Sequence, residues 1–350
     1  MAPSSDDQIR FLVSLQRLLD EGLFVASYKF ALLLALADLS IEAGDDSGAA
    51  LPITTKQIAG KFIQYYWRQT VPYASAAEAR VLQQNTGQQA VIVKIVQAAC
   101  QEHGDSLAAV MNSPPAWKPL VREVAGVVRV MPLWKLQTIG QERLDFLYEN
   151  TGTGKTIMLR PGVAYCFRKF HPLISDLVRG AWVRYVRKEN LEIVGETTDL
   201  NEFLFGSERA ALAVVRPILI DIQHGRCFYC DRALQPANTH VDHFVAWARY
   251  PVDLGHNFVL ADSRCNNKKR DRLPAYDHLA AWAERNAQFG NQIGTALRER
   301  GIISELGAST RVVQWSYVQT EAAGGLTWLR ADEMVPLRYG WRELLVNAVA

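Results

Sequence analysis

The sequence has almost no net charge, no long apolar run and an odd number of cysteines. Each of these features argues against one class of protein. The 38 basic and 36 acidic residues leave a net charge of +2, so any nucleic-acid surface must be local. The longest apolar run, residues 30–37, is too short to cross a bilayer. Five cysteines argue against a disulfide framework and for a reducing compartment. Because the chain starts with a polar, acidic stretch unlike a secretory signal, we expect a cytoplasmic protein without membrane contact.

Length and composition predict several domains. The chain has 350 residues, of which 49% are apolar and 21% charged, as in ordinary globular proteins. The segment 112–119 (NSPPAWKP) predicts a linker. We expect an α+β chain that is predominantly α-helical. Its regions are a helical N-terminal domain over 1–112, a mixed α/β region over 113–212, a motif-bearing module over 213–275 and a helical C-terminal extension over 276–350.

Caps and apolar spacing predict individual elements. Residues 5–8 (SDDQ) have the form of a capping box that opens a helix. Residues 28–42 are apolar nearly all round, which predicts a buried helix, and further helices are expected from Thr54 and over 275–300. Residues 143–162 predict a hairpin around a Gly/Thr turn. The TGTGKT within it lacks the first glycine of a phosphate-binding loop, so nucleotide binding is rejected there.

Residues 227–272 contain an unusual series of polar residues in a short stretch. The apolar runs around them predict the order strand, loop, strand, helix. Asp262 and Ser263 are good N-cap residues for the helix, and Pro274 ends or kinks it. The residues with metal-binding or acid–base chemistry stand in the order Cys227, Cys230, His240, Asp242, His243, Asn257, Cys265, Asn266 and Lys269.

The chemistry of these residue types points to a cation beside a phosphate. Carboxylate and amide oxygens, as in Asp242 and Asn266, suit Mg²⁺, and a neutral histidine such as His243 suits proton abstraction from water. Asn266 lies in the first helical turn, where phosphate is welcome, and Lys269 shares its face. Strict strand alternation would separate Asp242 from His243, so a twist or bulge is needed if both serve one site.

This pattern resembles the HNH endonuclease superfamily, the ββα-metal nucleases, over about 45 residues. Asn257 follows His243 by fourteen residues, Asn266 comes nine further on, and Lys269 three beyond that. The resemblance implies that His243 is the general base and that Asp242 and Asn266 are ligands of a catalytic Mg²⁺ or Mn²⁺. It also implies that Asn257 orients the loop and that Lys269 contacts phosphate. The implied reaction is DNA phosphodiester hydrolysis that leaves 5′-phosphate ends.

The resemblance also implies context and partners. HNH proteins of this layout resemble bacterial restriction or anti-phage defence nucleases. One such module cuts one strand, so a double-strand break would require a homodimer. Two alternatives stay open. One is a zinc-stabilised nucleic-acid-binding module or scaffold subunit of a defence complex, and the other is an RNA-directed nuclease.

A structural zinc site is predicted beside the catalytic residues. Many HNH proteins hold zinc with two CxxC pairs, but here Asp262 stands in the place of the third cysteine. Zinc accepts carboxylate oxygen as well as thiolate, so Cys227, Cys230, Cys265 and Asp262 form one possible ligand set. His224 or His240 is an alternative fourth ligand. Otherwise, Asp262 only caps the helix.

A local basic bias predicts a backbone-phosphate surface in 155–188, with aromatic residues interleaved. The alternative is a solvated face of an amphipathic helix over roughly 172–188. The residues predicted to bind nucleic acid are Arg168, Lys169, Arg179, Arg184, Arg187 and Lys188, with Lys268 and Arg270 near the proposed catalytic helix.

Overall fold

A computed structural model describes residues 2–73, 80–149, 154–194, 200–206, 209–300 and 302–346. For residues 209–211 only the backbone is described. The chain divides into two compact units, Met1–Gly206 and Ser207–Ala350. It is 59% helical, and its small antiparallel sheets are separate from one another, which confirms an α+β, mostly helical chain. Of the helices described, none combines the length with the apolar character that crossing a bilayer requires.

The described part of the first unit is a helical assembly with two short pairs of strands. Strand β1 (Leu51–Thr54) pairs with β4 (Thr156–Leu159), and β2 (Thr138–Ile139) pairs with β3 (Glu142–Arg143). The helices described in this unit are α1 (Ser5–Glu21), α2 (Tyr28–Ala43), α3 (Thr55–Trp67), α4 (Val91–His103), α5 (Leu107–Met111), α6 (Pro114–Val130), α7 (Pro132–Lys135), α8 (Val163–Lys169), α9 (His171–Glu189) and α10 (Leu200–Phe205).

Helix α2 is the centre of the first unit. Its residues are buried from Tyr28 to Ile41, so the helix that is apolar all round lies in the interior as its sequence predicted. Helices α3, α8 and α9 pack around it. Tyr66 and Trp182 extend this core with buried aromatic rings.

Caps explain where the first helices begin. Helix α3 starts at a capping box between Thr54 and Gln57, as expected from a helix beginning near Thr54. Helix α1 also has a capping box, but it joins Ser4 to Asp7. The prediction over 5–8 was therefore one residue late, because Asp7 replaces the Glu or Gln that usually completes this motif.

One prediction in the first unit was wrong, and another was confirmed only in part. The supposed linker over 112–119 instead starts α6, because Pro114 and Pro115 occupy its first turn, where a missing N–H costs nothing. Helix α6 packs against α3 and α4, so the expected boundary near residue 112 lies inside a continuous core. The predicted hairpin over 143–162 is confirmed only as one antiparallel bridge between Tyr148 and Leu159, since β4 pairs along its length with β1. Its turn at 150–153 lies outside the described residues.

The described part of the second unit contains two separate two-stranded sheets together with helices. Strand β5 (Thr239–His243) pairs with β6 (Phe258–Asp262), and β7 (Leu326–Arg330) pairs with β8 (Glu333–Pro336). The helices described in this unit are α11 (Arg209–Ile222), α12 (Ser263–Lys269), α13 (Tyr276–Glu299), α14 (Leu306–Ala322) and α15 (Trp341–Val346). Helix α13 matches the long helix expected over 275–300.

One buried apolar cluster of this unit lies between α11, β6 and α13. Leu219 of α11, Phe258 and Leu260 of β6, and Ile293 and Leu297 of α13 belong to one buried cluster. The side chains of Phe258 and Leu260 pack in this cluster, so it holds β6, the strand that leads into α12, in place.

Candidate functional site

The frame of the site is the antiparallel pair β5 and β6, followed directly by α12. Asp242 faces Val259 and His243 faces Phe258 in a regular register over 239–243. Side chains alternate along such a strand, so His240 and Asp242 project to one face and His243 to the other. The bulge needed to bring Asp242 and His243 to the same face does not occur within this strand pair.

Asn257 fixes the loop that leaves β5. Its Oδ1 accepts the backbone N–H of Val245 at 2.8 Å, and its Nδ2 donates to the Val245 carbonyl at 2.9 Å. The Asn257 carbonyl also accepts the N–H of Phe244 at 2.7 Å. Three hydrogen bonds from one buried asparagine hold the backbone immediately after His243, so the position of that histidine is set by the start of β6.

Asp242 lies in a buried polar contact with two partners. Its Oδ2 accepts the Tyr229 hydroxyl at 2.6 Å and lies 3.0 Å from the Lys269 ammonium. Burial raises the pKa of Tyr229 well above its usual value, so its hydroxyl stays protonated and donates. Both contacts fall on Oδ2, so Oδ1 is the oxygen that a cation would use.

Lys269 is placed differently from the prediction that it contacts phosphate. The residue has 0% exposure, and its ammonium donates to the His243 carbonyl at 2.8 Å. Burial lowers the pKa of this ammonium, and the Asp242 carboxylate opposes the shift. Lys269 therefore ties α12 to the end of β5 and is not available to a phosphate in this arrangement.

His243 is held by an acidic residue that the sequence pattern did not single out. Its Nε2 lies 2.7 Å from Oδ1 of Asp253, in the loop between the strands. The ring also packs against Trp247 and Phe258 at centroid distances of 5.5 and 4.9 Å. Its side chain keeps 11% exposure, which leaves the imidazole a narrow access to water. A carboxylate on one ring nitrogen orients the imidazole and selects its tautomer.

Asn266 lies in the first turns of α12, on the face that covers β5. Its Nδ2 is 3.4 Å from Nδ1 of His240. Asp242 and Asn266 thus lie on the same side of β5. Among the contacts of the described residues, however, none joins Asp242, Asn266 and His243 directly.

Helix α13 contributes a second feature that sequence reasoning missed. The buried Arg285 guanidinium donates to the carbonyls of His256 and Phe258, both at 2.7 Å. Trp282 Nε1 donates to the His256 carbonyl at 3.0 Å. Burial lowers the pKa of Arg285 to about 10. These donors bind the backbone on both sides of Asn257, so α13 supports the turn on which the loop contact depends.

Three cysteines converge beside this frame. The sulfurs of Cys227, Cys230 and Cys265 lie within 4.8 Å of one another, and sulfurs this close can share a metal ion such as zinc. A hydrogen bond from the Cys265 thiol, with further ones from backbone N–H groups, lowers the pKa of Cys227 to about 5. The same contact raises the pKa of Cys265, which keeps the shared proton. One thiolate is therefore already favoured in this cluster.

The other residues considered for the zinc site lie outside this group. Asp262 is the N-cap of α12, where its Oδ1 accepts the Arg264 N–H at 2.9 Å. Its own N–H donates to Cys227 Sγ at 3.3 Å. Within the described part of the chain, the ligand atoms of Asp262, His224 and His240 do not join the three sulfurs. The capping alternative accounts for Asp262.

The residues predicted to contact phosphate fall into three groups. Arg168 is only 4% exposed and pairs with Asp46, so it stabilises the first unit and is withdrawn as a phosphate contact. Several others are engaged on the surface: Lys169 with Gln8, Arg179 over the Phe205 ring, Lys268 with Asp332 and Arg270 with the Asn267 carbonyl. Of the predicted contacts on α9, Arg184 and Lys188 are exposed, and Arg187 is half-buried between them.

Comparison with known proteins gives no relative on which to base an assignment. No protein-family model, no curated protein and no solved structure matches this chain.

Proposed function

We propose that the second unit is a divalent-metal-dependent endonuclease of the HNH type that hydrolyses DNA phosphodiester bonds. The observation that carries this proposal is the double hydrogen bond between Asn257 and Val245, at 2.8 and 2.9 Å. It fixes the loop after His243 within a strand, loop, strand, helix arrangement, which is the role the motif resemblance gives to this asparagine. The side of β5 shared by Asp242 and Asn266 is consistent with it, whereas His243 projects to the other face at the end of the strand.

His243 acts as the general base in this proposal. Its Nε2 contact with Asp253 holds the imidazole in place and stabilises it when it takes a proton from water. The His243 carbonyl is held by Lys269, so both its side chain and its backbone are fixed before substrate arrives. A preorganised base needs little rearrangement in the transition state.

Asp242 Oδ1 and the Asn266 amide oxygen are the proposed ligands of Mg²⁺ or Mn²⁺. Both side chains lie between β5 and α12, and carboxylate and amide oxygens suit a hard cation. A bound divalent ion would polarise a phosphate oxygen and stabilise the departing 3′ oxygen. Tyr229 and Lys269 would hold the other Asp242 oxygen, which orients the carboxylate.

A second function is favoured by one specific contact. The Lys269 ammonium lies 3.0 Å from Asp242 Oδ2 and already balances the charge of that carboxylate. If Asp242 stays paired with Lys269 and binds no divalent cation, the protein has no catalytic metal. It would then be a nucleic-acid-binding or scaffold module with a metal-binding cysteine cluster. A partner in a bacterial defence complex would fit this alternative.

Metal dependence distinguishes the two functions. Supercoiled plasmid, single-stranded DNA and RNA are incubated with the native protein in Mg²⁺, Mn²⁺ or EDTA. We expect nicking of the plasmid in either metal and none in EDTA, because the oxygen donors need a cation to act on phosphate. Binding without cleavage in all three conditions would favour the binding module. Cleavage of RNA alone would redirect the proposal to an RNA nuclease.

The exposed cations of α9 provide a separate prediction. Replacing Arg184 and Lys188 together by alanine should flatten the salt dependence of DNA binding by a slope of about 2, because each lost phosphate contact removes about 0.9. The measurement is the slope of log affinity against log salt concentration. The control is the double variant Lys118→Ala with Arg122→Ala, which removes an exposed pair with the same spacing from α6. Equal slopes in the native protein and the α9 variant would mean that phosphate binds elsewhere.

A further inference from the structure

The cysteine cluster provides three ligands where a closed zinc site has four. Structural zinc is almost always held by four protein atoms in a tetrahedron, whereas sites with three protein ligands keep an open position. Cys227 and Cys230 come from the turn between α11 and β5, and Cys265 comes from the first turn of α12. These elements are joined by the Asp262 N–H bond to Cys227 Sγ, so the three sulfurs belong to one built cluster.

Asp262 is committed to another task. Its Oδ1 caps α12 through the Arg264 N–H, and Thr239 faces Asp262 across the strand pair. Turning the carboxylate toward the sulfurs would remove the cap, at a cost of roughly 0.5–2 kcal/mol. The cluster reaches solvent at Cys230, which is exposed, whereas Cys265 is half-buried and Cys227 is buried.

We infer that this cluster binds one divalent metal ion through three thiolates and leaves a fourth coordination position open to solvent. In the metal-bound protein without a further ligand, a water molecule occupies that position. A monodentate nitrogen donor of the imidazole class displaces this water, which is released as an unchanged molecule. The exchange forms one metal–nitrogen bond, breaks one metal–oxygen bond and transfers no electron. The site is then a ligand-binding centre as well as a structural one, and this conclusion does not depend on nuclease activity.

Cobalt substitution tests the inference in the full-length protein. Chelator-treated native protein is titrated with Co²⁺, and the visible absorption reports the ligands of the ion. We expect thiolate-to-cobalt charge-transfer bands, and then a saturable shift of the ligand-field bands on addition of imidazole. A Cys230→Ser variant should bind Co²⁺ at least 10- to 100-fold more weakly, which is the loss expected from disturbing even an outer partner of a ligand.

Asp262→Asn is the decisive variant. Asparagine caps a helix as well as aspartate does but offers no carboxylate. We expect this variant to give the native cobalt spectrum, the native Co²⁺ affinity and the native imidazole response. A changed spectrum or a loss of Co²⁺ affinity would show that Asp262 is a ligand and would overturn the open position. Failure of the native protein to bind Co²⁺, or a spectrum that imidazole leaves unaltered, would overturn it as well.

Discussion

Replacing His243 by alanine is expected to abolish metal-dependent nicking while DNA binding survives. Asp253 holds the imidazole at the end of β5, and a positioned general base contributes roughly 10²- to 10⁴-fold to rate. Affinity should change little, because the side chain is only 11% exposed and offers little surface to the DNA. Single-turnover nicking of supercoiled plasmid measures the rate, and a DNA titration in EDTA measures the affinity.

Two further variants make this result interpretable. His103→Ala removes an exposed histidine from α4 and should cut at the native rate. Asp253→Asn keeps the shape of the partner but removes its charge, so an intermediate loss is expected if Asp253 orients the base. A His243→Ala protein that nicks at the native rate would remove the assigned base and, with it, the proposed mechanism.

Replacing Arg285 by methionine is expected to destabilise the second unit by about 3 kcal/mol or more. The guanidinium donates to two buried carbonyls at 2.7 Å, and a hydrogen bond from a charged donor contributes roughly 1.5–3 kcal/mol. Methionine fills a similar volume but leaves both carbonyls without these donors. Arg285→Lys should lose less, since one ammonium can satisfy one of the two. Hydrogen exchange of residues 209–346 in increasing urea measures the effect.

The control for Arg285 lies on the same helix. Arg298→Met replaces an exposed arginine near the end of α13 and should change the stability of this unit by no more than about 0.5 kcal/mol. If Arg285→Met were equally mild, the Trp282 donor to the His256 carbonyl would be enough to hold this turn without the guanidinium. In a protein that cuts DNA, Arg285→Lys should also lower the rate more than the affinity, because it loosens the turn behind Asn257.

Local pattern was enough to predict the elements around the site. Short apolar runs bounded by Asn257 and Asp262 predicted the strand, loop, strand, helix order, because strand period and N-cap chemistry are local properties. The convergence of Cys227, Cys230 and Cys265 followed from the tight turn and the short path through β6. These features depend on neighbours within a few residues or on one strand pairing.

The partners of the functional side chains could not be predicted in the same way. Asp253 reaches His243 through an irregular loop whose path no periodicity describes. Lys269 carries a charge at a basic helix start, and the motif resemblance implied a phosphate contact, yet Asp242 and Tyr229 provide a buried polar environment for it. Arg285 follows Trp282 by three positions and so shares its face, a signal that was present but conflicted with the usual exposure of arginine.

The hydrogen bonds from α13 determine the smallest fragment of this protein that could be grafted onto another scaffold with its site intact. A fragment ending near residue 275 would keep every motif residue but lose the donors of Trp282 and Arg285. Grafting only that fragment onto another scaffold would transfer the motif residues without the donors that hold the turn at Asn257. A fragment that includes residues 276–299 would contain both, so for protein engineering the fragment should end after α13.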